Sequence, residues 1–140
     1  MVFLNQASRV NLTDMNKKPN LLIVDDDHEL RKTICEVVQT LGYDLYEADS
    51  GSVALKQIIA RRPDLIISDF SMENGNGLDL AMALTKHKLK IPFILLTGRR
   101  ELHTDCYSEP SINHIVFKPF KPQDLLSLVQ DMLRDKHQAD

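Results

Sequence analysis

The chain is poor in the features that would give a quick assignment. Its two cysteines, Cys35 and Cys106, are too few for a disulfide framework and point to a reducing, intracellular setting. Cys35 falls among the apolar positions of an expected helix and reads as a small core residue. Basic residues never cluster beyond a pair, as in Arg61-Arg62 or Arg99-Arg100, and the net charge is −3. This argues against direct nucleic-acid binding by this chain. No apolar run reaches membrane length, and "MVFLNQASRV" has no basic flank before its short apolar stretch. Neither a membrane span nor a signal peptide is expected, and the expected location is cytoplasmic. His28, His87, His103, His114 and His137 are scattered without metal-ligand spacing. There is no internal repeat and no low-complexity segment.

A hydrophobic content of 43% over 140 residues fits one domain with a single core. Lys17, Lys18, Pro19 and Asn20 form a polar break. The expected division is an N-terminal arm over residues 1–19, a domain over 20–136 and a short tail over 137–140.

Two periodicities alternate along the domain. "LLIV" is a continuous apolar run, as expected of a strand buried on both faces. Leu30, Ile34, Val37, Val38 and Leu41 then recur at helical spacing, closed by Gly42. "YDLYEA" reads as a second strand, followed by a helix capped by Ser50 that contains Val53, Ala54, Leu55, Ile58 and Ile59. "LIISD" is a third strand and "SMENGNG" a loop. A third helix starts near Leu78, "IPFILLTG" is a fourth strand and "HIVFKP" a fifth. The last helix follows Pro122. Helices between short apolar strands imply βαβ crossovers, hence an α/β fold with a five-stranded parallel sheet covered on both faces. Ligands of such sheets bind at the carboxyl ends of the strands.

The polar residues gather at that edge. Asp25 and Asp26 follow strand one, Asp69 ends strand three, Thr97 ends strand four and Lys118 ends strand five. Taken singly, each has an ordinary explanation: Asp27 as a helix N-cap, Asp25 and Asp26 as solvated turn residues, Asp69 as a turn former, Thr97 as a strand end. Taken together, three carboxylates share an edge with one hydroxyl and one ammonium. Two unit charges about 4 Å apart repel by roughly 4 kcal/mol at an effective dielectric of 20, so a cation, a helix N-terminus or solvent is expected to offset them. Carboxylate oxygens are hard ligands that suit Mg²⁺. Asp69 is the best nucleophile candidate, with Thr97 and Lys118 able to hydrogen-bond phosphoryl oxygens.

The ordered set "LLIVDDD", "LIISDFSMENGNG", "ILLTG" and "FKPF" resembles the receiver domain of bacterial two-component response regulators, over residues from about 20 to 136. The resemblance implies a flavodoxin-like, doubly wound sheet in the order 2-1-3-4-5. It implies that Asp69 accepts a phosphoryl group from a sensor histidine kinase or a histidine phosphotransfer protein. It further implies that Mg²⁺ is held by Asp25, Asp26, Asp69 and the backbone carbonyl of Ser71, with Thr97 as the switch hydroxyl and Lys118 on the phosphate. Such a chain is a signalling phosphoacceptor rather than an enzyme and passes its state to a downstream protein that the sequence does not name.

Three positions depart from the family pattern. Glu73 stands where the family usually has proline, Ile115 replaces a common aromatic, and "RRELHTDCYSEPSIN" lacks the pattern of a normal fourth helix, with Pro110 interrupting it. Only "DKHQAD" follows the last helix in this sequence, so output is expected through protein contacts or through parts of a longer protein. The degraded fourth helix leaves a second function open: a receiver-like docking module that works without phosphorylation. A third, an aspartyl phosphohydrolase resembling the haloacid dehalogenases, is disfavoured because Ser71 stands where they usually carry a second aspartate.

Overall fold

The run of apolar residues that stops at aspartate forms β1 (Asn20–Val24). A computed structural model describes residues 18–101 and 104–139, with only the backbone described at residues 104 and 135–139. The expected arm lies outside the described residues except for Lys18 and Pro19. In chain order β1 is followed by α1 (His28–Gln39), β2 (Asp44–Ala48), α2 (Gly51–Arg61) and β3 (Leu65–Asp69). Then come β4 (Ser71–Met72), β5 (Gly75–Asn76), α3 (Gly77–Lys86), β6 (Phe93–Thr97), α4 (Thr104–Ser108), β7 (His114–Phe117) and α5 (Pro122–Ala139).

Five strands form one parallel sheet in the order β2-β1-β3-β6-β7. Side chains alternate between its faces, so each strand feeds two cores. Leu22, Val24, Ile66, Phe93 and Leu95 pack towards Ala54 and Ile58 of α2 and Leu80 and Leu84 of α3. Leu21, Ile23, Ile67, Ile94 and Leu96 pack towards Ile34 and Val38 of α1 and Leu125 and Val129 of α5. This is the doubly wound architecture expected from the sequence.

Local chemistry fixes the helix starts. Asp27 caps α1, accepting from the N–H groups of Glu29 and Leu30 at 3.0 and 3.2 Å. Ser50 caps α2, accepting from Val53 N–H at 3.2 Å. Asn76 and Asp79 form a reciprocal capping box on α3. Pro122 opens α5, where a missing N–H costs nothing.

The structure differs from the sequence reading in one place. "SMENGNG" holds a miniature antiparallel ribbon, with Ser71 opposite Asn76 and Met72 opposite Gly75. Gly75 makes this turn possible at φ +102°. In α2, Val53 and Ile59 are exposed, because the helix buries only the i, i+4 pair Ala54 and Ile58. The shortness expected of the fourth helix is seen: α4 has five residues and ends before Pro110.

Candidate functional site

Every strand of the main sheet runs the same way, so β1, β3, β6 and β7 deliver their carboxyl ends to one edge. Strand register brings Asp69 level with Leu96, and Thr97 level with Phe117. The chain continues this ladder past the strands: Phe70 N–H donates to Leu96 O and Lys118 N–H donates to Thr97 O, both at 2.7 Å. Asp69 and Lys118 thus approach each other over the end of β6. The Lys118–Pro119 peptide is cis.

Four polar side chains are buried among the described residues: Asp25, Ser68, Asp69 and Thr97. Three of them are predicted site residues. The ammonium of Lys118 donates to Oδ1 of Asp69. Asp25 Oδ1 accepts from Asp27 N–H at 2.9 Å, while its Oδ2 is buried with no hydrogen-bond partner. Burial pushes the Asp25 carboxyl up to about 6, and the charges of Asp69 and Asp26 push it the same way. The Asp27 N–H and the Lys118 charge oppose the rise. Thr97 is buried at the end of β6, and its hydroxyl oxygen accepts from Arg99 N–H at 3.0 Å.

Asp26 and Ser71 differ from this group in being exposed. Asp26 is exposed, and its Oδ2 accepts from Glu73 N–H at 2.5 Å. Ser71 is exposed at the start of β4. Among the described residues, no three acids, histidines or cysteines converge closely enough to hold an ion by themselves. The donor set nevertheless fits Mg²⁺, which takes few protein ligands and keeps several waters. A buried carboxylate oxygen without a partner is the kind of group such a cation satisfies, and Asp25 Oδ2 is one.

Other residues lie around the site. Arg31 donates through Nη1 to the backbone oxygen of Asp25 at 2.7 Å, through Nε to Glu47 at 2.8 Å, and through Nη2 to Nδ1 of His28 at 3.2 Å. One guanidinium therefore braces the acidic loop against the end of β2. Cys35 is half-buried beside Glu47, and burial, followed by the Glu47 charge, raises its thiol to about 11. Ser68 donates to the backbone oxygen of Asp69 at 3.0 Å. A Cβ on Gly77 would sit 2.5 Å from that same oxygen, so α3 starts pressed against the phosphoacceptor candidate. Arg99 lies over the Phe70 ring at 6.0 Å, beside the residue that follows Asp69. Ile115 is half-buried against the α2 and α3 side of the core.

The family profile of the response regulator receiver domain matches residues 21–130. The chain belongs to this family. The receiver domain is 32% identical over 117 residues to the phosphate regulon transcriptional regulatory protein PhoB of Pseudomonas aeruginosa, covering 81% of this chain and 51% of that protein. It is 31% identical over 121 residues to the alkaline phosphatase synthesis transcriptional regulatory protein PhoP of Bacillus subtilis, covering 86% of this chain and 50% of that one. It therefore spans about half the length of the curated relatives it matches. The response regulator protein TrrA of Thermotoga maritima, solved in complex with Mg²⁺-BeF, superposes with a TM-score of 0.74 at 31% identity, over 81% of this chain and 98% of that one. Receiver domains are signalling domains of two-component phosphorelays, and that is the class of this chain. Among the described residues no helix is long and apolar enough to cross a membrane.

Proposed function

We propose that this receiver domain takes a phosphoryl group from a phosphohistidine of a sensor histidine kinase or histidine phosphotransfer protein onto Asp69. The phosphorus–nitrogen bond of the donor, protonated on its other ring nitrogen, breaks, a phosphorus–oxygen bond to the Asp69 carboxylate forms, and the donor leaves as neutral imidazole. The observation that carries this reading is the ion pair of Lys118 with Asp69, next to a buried Asp25 oxygen that has no partner. Asp25, Asp26, Asp69 and the backbone carbonyl of Ser71 are the proposed Mg²⁺ ligands. Mg²⁺ bound by them supplies the positive charge that phosphoryl oxygens need during transfer. Lys118 then pairs with a phosphoryl oxygen as a point charge, and the Thr97 hydroxyl donates to another. Burial of Asp69 and Thr97 limits the approach of water to the acyl phosphate.

The proposed setting is the cytoplasm, with output through a downstream protein and no direct nucleic-acid contact by this chain. The curated relatives bear transcriptional names but are about twice the matched length, so the region matched here need not carry their DNA contacts. The five-residue α4 favours a second reading, a docking module that needs no phosphoryl group. Intact-mass measurement after incubation with acetyl phosphate and Mg²⁺ separates the two. One added phosphoryl mass, lost in Asp69→Asn and on chelation, supports transfer. An unmodified wild-type chain supports docking, and a label that survives Asp69→Asn overturns the assignment of the residue.

A further inference from the structure

Asp26 and Glu73 lie 47 positions apart and meet between the loops that follow β1 and β3, where Glu73 N–H donates to Oδ2 of Asp26 at 2.5 Å. The β4–β5 ribbon holds this amide in place: Glu73 follows Met72, which faces Gly75 across the turn. The Glu73 side chain plays no part in the bond. Any residue supplies the donor except proline, which has no N–H.

The three acids are therefore engaged differently. Asp69 Oδ1 is taken by Lys118, Asp25 Oδ2 has no partner, and Asp26 Oδ2 is taken by a backbone amide. No three of the acids converge among the described residues. A carboxylate that accepts from an N–H points a lone pair at a partially positive hydrogen. A divalent cation that takes the same oxygen, Oδ2, must displace that hydrogen, so the two compete for that oxygen. Hydrogen bonds to charged groups are stronger than neutral ones, which makes the competition significant.

We infer that the Glu73 amide is a latch that holds the Asp26 carboxylate away from Asp25 and Asp69 and so lowers the affinity of this receiver for Mg²⁺. Glu73 is a positioning residue, acting through Asp26, and the inference rests on the metal reading proposed above. The latch also ties the acidic loop to the loop after the phosphoacceptor, so cation binding releases one loop from the other.

The test compares Glu73→Pro with Glu73→Gln. Both lose the same carboxylate, and only the first loses the N–H. Titrating each with MgCl₂ by calorimetry should show Glu73→Pro binding roughly tenfold more tightly, the equivalent of about 1.4 kcal/mol. Equal affinities overturn the latch. The wild-type chain gives a check that needs no variant: its residue 73 amide should resonate far downfield without metal and move upfield at saturating Mg²⁺. If that amide stays put while amides next to Asp25 respond, the latch does not open and the inference is wrong. If no amide responds and no variant binds Mg²⁺, the metal reading itself fails and the latch falls with it.

Discussion

Lys118 reaches from the end of β7 across β6 to donate to Oδ1 of Asp69 at the end of β3. The pair is mostly shielded from water, with side-chain exposures of 26% and 8%. Its lysine is the cation that offsets the crowded acids in the metal-free chain.

Removing that cation leaves Asp69 charged and unpaired beside Asp25. Lys118→Met, which keeps the apolar stem, should destabilise the chelator-treated protein by roughly 1–3 kcal/mol in urea denaturation. The double variant with Asp69→Asn should recover most of the loss, because the uncompensated charge is then gone. If the two changes simply add, the pair contributes nothing to folding.

The raised carboxyl of Asp25 makes stability depend on pH. Its value of about 6 in the fold, against 3.8 ordinarily, means the folded state holds the proton more tightly. Its contribution to stability is then fully present below about 3.8 and is lost as pH rises through about 6. In chelator, Asp25→Asn should match the wild type near pH 3.8 and become more stable by roughly 2–3 kcal/mol at pH 8. A gain that is the same at every pH would show that burial of the charge is not its source.

Two glycines open helices and should respond oppositely to alanine. At Gly77 the new Cβ would meet Asp69 O at 2.5 Å and Leu95 Cδ1 at 2.6 Å. The leucine tip can turn aside, but the backbone oxygen cannot. Gly77→Ala should cost roughly 1–3 kcal/mol by overpacking and shift the backbone amide resonances around Asp69. Gly51 has nothing within 4 Å of its added Cβ, so Gly51→Ala should stay within about 1 kcal/mol of wild type or stabilise it. Equal effects at the two positions would mean that the contact with Asp69 is not tight.

Asp25, Asp69, Thr97 and Lys118 were legible because strand ends can be read from apolar runs, and parallel strands share an edge. The strand order came from the family resemblance, and the observed sheet has it. The supporting contacts had no such signal. Arg31 finds Glu47 sixteen positions away by folding, and nothing in "HELRKT" marks one arginine as a brace. The Glu73–Asp26 bond uses a backbone N–H, which every residue but proline carries. The Gly77 contact depends on how α3 leaves its ribbon, and "SMENGNG" reads as loop because two-residue strands are too short to show alternation. In α2, an apolar run wider than one helix face hid which members are buried.

The five-residue α4 stands out against helices of 12, 11, 10 and 18 residues elsewhere in the fold. Of its side chains described, only Cys106 is buried; Asp105, Tyr107 and Ser108 face solvent. Local opening is easiest where few apolar contacts must be given up. Displacing α4 gives up the one buried side chain described in it, Cys106, whereas displacing α2 or α3 would strip Ala54 and Ile58, or Leu80, Ala81 and Leu84, from the sheet.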